Sequence, residues 1–118
     1  MKDFRKLKVW EKAHGLAVEL YRMTLQFPSD ERFGLTNQLR RAVVSIPSNI
    51  AEGCGRRGDR ELANFLNIAA GSASEVEYQL LLARDLGYLN SEQHLRFDAQ
   101  INELKRMLNS FMQKLNLA

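Results

Sequence analysis

Five arginines are the residues whose type and spacing point most directly to chemistry. Arg40 and Arg41 stand side by side in GLTNQLRRAVVSIPSNIAEGCGRR, residues 34–57, whose last two positions are Arg56 and Arg57, with Arg60 just beyond. A guanidinium presents a planar fork of donors that matches phosphate geometry, so the chemistry on offer is anion binding, above all of a nucleic-acid backbone. Adjacent positions on a helix lie about 100° apart, so Arg40 and Arg41 cannot both face a core. The plainer alternative for this pair is a solvated helix face or ion pairs between subunits. For Arg56, Arg57 and Arg60 it is a solvated loop.

Catalytic chemistry has less to stand on. His14 is the lone histidine of its segment, which leaves a surface histidine as the default. His94 is also expected to be exposed, near the start of the last helix. No histidine or lysine stands where it would activate the serines of AAGSAS, residues 69–74. Glu75 and Glu77 fall on different faces of a helix and do not form a carboxylate pair. There is no HExxH, no paired cysteine ligands and no Glu-x-x-His pair of the di-iron bundle kind, and GCGRRG at 53–58 matches neither common phosphate-loop pattern. The expectation is a protein that is not an enzyme and that takes no metal or cofactor.

The bulk properties fit that expectation. A chain of 118 residues makes one domain, 1–118, with room for a real core. Hydrophobic residues make up 45% and charged residues 26%, ordinary for a globular protein. The formal net charge of +3 is compatible with nucleic-acid binding without demanding it. No apolar run approaches the roughly 20 residues that span a bilayer. The start, MKDFRKLKVWEK, lacks the apolar core of a signal peptide, and the single Cys54 allows no intrachain disulfide. A cytoplasmic protein is expected. The reactivity of Cys54 depends on how the segment around it ends.

Four helices must position these residues, over about 9–27, 35–53, 60–86 and 91–115. In the first, Trp10, Ala13, Ala17, Leu20, Thr24 and Phe27 follow a near-3.5 repeat, the mark of bundle packing. Val9, Leu16 and Met23 flank it and suggest a second buried surface, such as a subunit contact. Pro28 stops this helix, and Phe33 in the following loop is expected to fold back onto the core. In the second, Leu35, Leu39, Ala42, Val43, Ile46 and Ile50 form one stripe. Pro47 interrupts it: either one helix continues with a kink or a new helix restarts, and the constant phase of the stripe favours the kink. Gly53 and Gly55 are expected to end it in the left-handed conformation.

Asp59 is a candidate N-cap for the third helix. That helix has a stripe from Leu62 to Ala83 and, at 69–74, a small-residue stretch suited to a tight crossing. Gly87 should close it. Asn90 with Gln93 has the form of a capping box for the fourth, whose stripe runs from Phe97 to Leu115. The predicted N-terminal arm, 1–8, is solvated or packed. The fold class is all-α, an antiparallel up-down four-helix bundle with the second helix kinked near Pro47.

The chain as a whole resembles the four-helix-bundle proteins encoded in intervening sequences of bacterial 23S ribosomal RNA genes. The resemblance rests on LKVWEKA at 7–13, FPSDERFGLTNQLRRAVVSIPSNIAEG at 27–53, FLNIAAGSASEVEYQL at 65–80 and LGYL at 86–89. Arg40, Arg41, Ser45, Pro47, Asn49 and Glu52 match the family signature position by position, and Gly53 completes the motif. The resemblance implies an antiparallel bundle and a ring-shaped homopentamer. It also implies kinship with the accessory protein of diversity-generating retroelements, which works with a reverse transcriptase and nucleic acid. It implies no catalytic residue, and Ser45, Pro47, Asn49, Glu52 and Gly53 are expected to serve folding or assembly. The expected function is non-enzymatic association of an oligomer with RNA or other nucleic acid through Arg40, Arg41, Arg56, Arg57 and Arg60. The alternative is a protein-interaction scaffold that binds no nucleic acid.

Overall fold

A computed structural model describes residues 2–115 and forms an all-helical bundle with no strand among the described residues. Helix α1 spans Lys8–Met23, α2 Leu35–Cys54, α3 Asp59–Asp85 and α4 Ser91–Lys114. At 1.5 Å per residue the 27-residue α3 is about 40 Å long, close to the 44 Å long axis of the molecule. Helices that fill the long axis and are joined by short connections must alternate in direction. Each helix packs on its neighbour in the chain, and α4 returns to α1, with the α2–α3 seam the most extensive.

The stripes that build this bundle are the apolar faces of each helix. Leu20, Leu39, Val43, Ile46, Ile50, Leu66, Leu80, Ile101 and Leu108 are fully buried. On α1 the buried set is Val9, Ala13, Leu16, Ala17, Leu20 and Met23. Val9, Leu16 and Met23 are therefore part of the core and not a second surface, while Trp10 is only half-buried. The helix meets α2 on one side and α4 on the other. Two partners need a wider apolar face than a single seam provides.

The ends of the helices follow local chemistry, with some departures from expectation. The α-helical part of α1 stops at Met23, and its final turn tightens into a 3-10 turn over Thr24–Gln26 before Phe27 and Pro28. Helix α2 runs unbroken through Pro47. Beside the proline, Asn49 Nδ2 donates to the Ser45 carbonyl at 2.7 Å and to Ser45 Oγ at 2.9 Å, a polar strut across the turn that lacks a backbone donor. Gly53 does not terminate α2. It is helical and buried because a Cβ there would lie 2.9 Å from both Leu62 Cδ1 and Phe65 Cβ of α3. Gly55 is the C-cap but stays right-handed, with φ −81°.

Asp59 is the first residue of α3 and not its cap. Gly58 holds the cap position without a side-chain bond, and Asp59 and Glu61 place negative charge in the first turn. Gly87, at φ +81°, closes α3 with Tyr88 N–H donating to Ala83 O and Gly87 N–H to Arg84 O, both at 2.9 Å, the Schellman pattern. Asn90 and Gln93 form the reciprocal capping box of α4.

Two side chains sit opposite to expectation. Phe33 is 83% exposed, with the Arg32 guanidinium 4.8 Å from its ring centre. The 3-10 turn Ser29–Glu31 directs the loop outward and leaves Glu31, not Phe33, as its link to the core region. His94 is buried, 7% exposed, because it falls on the stripe that continues through Phe97, Ile101 and Leu104. Its Nε2 has no hydrogen-bond partner among the described residues.

Candidate nucleic-acid interface

Arg40 and Arg41 lie near the start of α2, whereas Arg56 and Arg57 follow its end and Arg60 stands in the first turn of α3. Sixteen residues separate Arg40 from Arg56, about 24 Å along a helix, so the fold of one chain does not gather them into a single patch. Arg40 is half-buried against the end of α1. Its Nε donates to Thr24 Oγ1 at 2.8 Å, its Nη2 to the Tyr21 carbonyl at 3.1 Å, and its guanidinium lies 4.7 Å from the Tyr21 ring centre. It thus satisfies a carbonyl of α1's last turn, where a cation also suits the helix dipole.

Arg41 is exposed and points to the seam between α2 and α3. There a polar groove of about 390 Å³ is lined by Asn37, Gln38, Arg41, Ser45, Ser72 and Glu75. Ser45 Oγ and Ser72 Oγ are 2.8 Å apart, so the small-residue stretch of α3 does meet α2, through paired hydroxyls. One turn after Glu75, Gln79 is 3% exposed; its Nε2 donates to Glu75 Oε2 at 3.1 Å and its Oε1 has no partner among the described residues.

Arg56, Arg57 and Arg60 surround the α2–α3 turn. Arg56 pairs with Glu52 at 2.9 Å, one helical turn back, and covers the Phe65 ring at 5.0 Å. Arg57 and Arg60 are exposed and, like Arg41, make no ion pair among the described residues. Lys2 joins this end, since its backbone N–H donates to the Cys54 carbonyl at 3.0 Å and a small cleft of about 80 Å³ is lined by Lys2, Cys54, Arg56 and Arg57. Cys54 itself is 2% exposed, and burial pushes its thiol above the usual pKa, with nearby Lys2 pulling weakly the other way.

The remaining signature residues each have a structural contact. Ser45 and Asn49 brace the proline turn, Pro47 is buried, Glu52 holds Arg56, and Gly53 admits α3. Among the described residues no three metal-ligating side chains come together. No helix of the described residues is long and apolar enough to cross a membrane.

One feature escaped sequence reasoning. A groove of about 530 Å³ lies between the outer faces of α1 and α2, with Phe4, Trp10, His14 and Tyr21 on one side and Val44 and Pro47 on the other. Trp10 and His14 are stacked, 5.0 Å apart and 4° from parallel, and Phe4 meets Trp10 at 4.9 Å. The signal in the sequence was the recurrence of rings at positions 10, 14 and 21. It was masked because Trp10 also fits the core repeat.

A family model described as 23S rRNA-intervening sequence protein matches residues 5–110. No curated protein matches the chain. Among solved structures, the chain is similar to a protein with unknown function from the S23 ribosomal protein family of Bacteroides thetaiotaomicron VPI-5482. The two share 28% identity over 88% of this chain and 97% of that one, with a TM-score of 0.79.

Proposed function

Because the chain belongs to the 23S rRNA-intervening sequence protein family, we propose that it is a non-enzymatic, oligomeric, cytoplasmic protein that associates with RNA through basic surface. The observation that carries this reading is the set Arg41, Arg57 and Arg60. They are exposed and free of carboxylate partners among the described residues, on a chain of net charge +3. A closed homopentameric ring would repeat that modest charge about an axis and turn separate patches into a continuous field.

The test is a titration of fluorescein-labelled RNA by anisotropy at several salt concentrations, with light scattering to give the mass. Wild type should bind at low salt and weaken steeply as salt rises. The triple reversal of Arg41, Arg57 and Arg60 to Glu should keep its mass and helicity and lose most of the affinity. Its salt slope should shrink by roughly 2 if three phosphate contacts go. Absent or salt-insensitive binding by wild type at low ionic strength would sink the proposal. A drop to smaller species in the triple variant would reassign these arginines to assembly.

Leu25, 78% exposed, and Phe33, 83% exposed, favour a second reading: a scaffold for another protein. A protein partner that survives nuclease treatment and is lost in a Leu25→Ser, Phe33→Ser variant supports it.

A further inference from the structure

The groove between α1 and α2 combines exposed ring surface with guanidinium groups. Tyr21 is 43% exposed and His14 is exposed, with one face of its ring resting on Trp10 and the other turned away from it. Arg22 lines the groove. Arg40 lies 4.7 Å over the Tyr21 ring, and Arg5, itself paired with Asp3 at 3.3 Å, lies 4.9 Å from the Phe4 ring. No carboxylate is among the lining residues.

Flat rings flanked by cations match the chemistry of unpaired nucleobases. Every base has a π-face that can stack on an aromatic side chain, while arginines track the adjoining phosphates. A duplex keeps its bases stacked on each other and offers only its backbone and groove edges, so it cannot use these rings. Spacing agrees with this occupant: seven residues separate His14 from Tyr21, about 10 Å along α1, close to three base steps. The groove's volume of about 530 Å³ falls in the range of ligand sites and is far too small for a double helix.

We infer that the α1–α2 groove is a stacking site for single-stranded nucleic acid, with the His14 and Tyr21 rings as platforms and Arg22 beside the backbone. This rests on the reading that the protein binds RNA, and it names which form of RNA and adds contacts outside the basic clusters. Trp10 is the chain's one tryptophan and lines the groove, so a strand seated there alters its emission.

The experiment titrates the protein with a fluorescein-labelled 12-nucleotide homouridine RNA and with a 12-base-pair duplex, following anisotropy and, with unlabelled RNA, Trp10 emission. The single strand should quench or shift Trp10, and the duplex should not. His14→Ala and Tyr21→Ala should each weaken the single-strand affinity roughly ten-fold, with helicity unchanged, and Tyr21→Phe should restore it. Binding with unaltered Trp10 emission and wild-type affinity in both alanine variants would overturn the groove while leaving the basic surface intact. No binding of either RNA at low salt would overturn both. A fall in mass in the alanine variants with unchanged affinity would assign the groove to a second copy of the chain and overturn the stacking site.

Discussion

Glu31 shows how one side chain ties distant segments together. Its Oε1 accepts from the Leu35 N–H at 3.1 Å, capping α2 in place of Gly34, and its Oε2 accepts from Tyr88 Oη at 2.7 Å. The Tyr88 hydroxyl, and then the Leu35 amide, hold the Glu31 carboxyl below its usual 4.5. A carboxylate lowered in the folded state stabilises the fold above the usual value, and that contribution is lost as pH falls through the lowered one. Tyr88 is raised above 10 by the same bond, so its contribution is present below 10 and disappears as pH rises through the raised value. Glu31→Gln should therefore lower the melting temperature at pH 7 and reduce the loss seen in wild type between pH 5 and pH 3. An unchanged acid profile would remove Glu31 from the account.

Arg40 behaves similarly at this scale. Arg40→Ala strips the donor from Thr24 Oγ1 and the Tyr21 carbonyl and should cost about 1–2 kcal/mol in urea unfolding. Its reversal is thus a poor probe of RNA binding, because it disturbs the end of α1. Cys54, buried and raised, should react with a thiol reagent only after denaturation.

Among the helices, the glycines separate two kinds of packing. Gly53 faces α3 so closely that Gly53→Ala must displace Leu62 or Phe65, and Phe65 Cβ is fixed to the backbone. A loss of about 1–3 kcal/mol is expected. Gly71 lies within α3 with nothing within 4 Å of a Cβ, so Gly71→Ala should stabilise by about 0.5–1 kcal/mol through helix propensity and the unfolded chain. Urea unfolding of the two variants checks both signs. The cross-helix pairs Lys105–Glu77 at 2.7 Å and Lys12–Glu103 at 2.8 Å join α4 to α3 and α1. Their ammonium groups hold both carboxyls below 4.5, which adds to the acid sensitivity.

At the scale of the molecule, the core runs continuously through all four helices. Leu66 is fully buried in the first half of α3, and Leu66→Ala should cost about 2–5 kcal/mol while leaving one cooperative transition. Circular dichroism and tryptophan emission should follow the same midpoint, because Trp10 sits on α1, the helix that closes the bundle against α4.

The order and number of helices were legible in the sequence, as were the stop after Gly87, the capping box of Asn90 and Gln93 and the unbroken stripe through Pro47. These are relations between residues three or four apart, and such relations survive in the linear text. The fates of Arg40, Glu31, Phe33, His94 and Gly53 were not legible. Arg40 meets Tyr21, 19 positions away, and Tyr88 meets Glu31, 57 positions away. Gly53 looked like a helix stop because glycine ends helices, but here it serves a close approach. Trp10 fits a core repeat, yet lines an open groove once α2 lies beside α1. Periodicity determines which face of a helix is apolar. How far that face is covered depends on the register and offset of the neighbouring helix, which only the packed bundle decides.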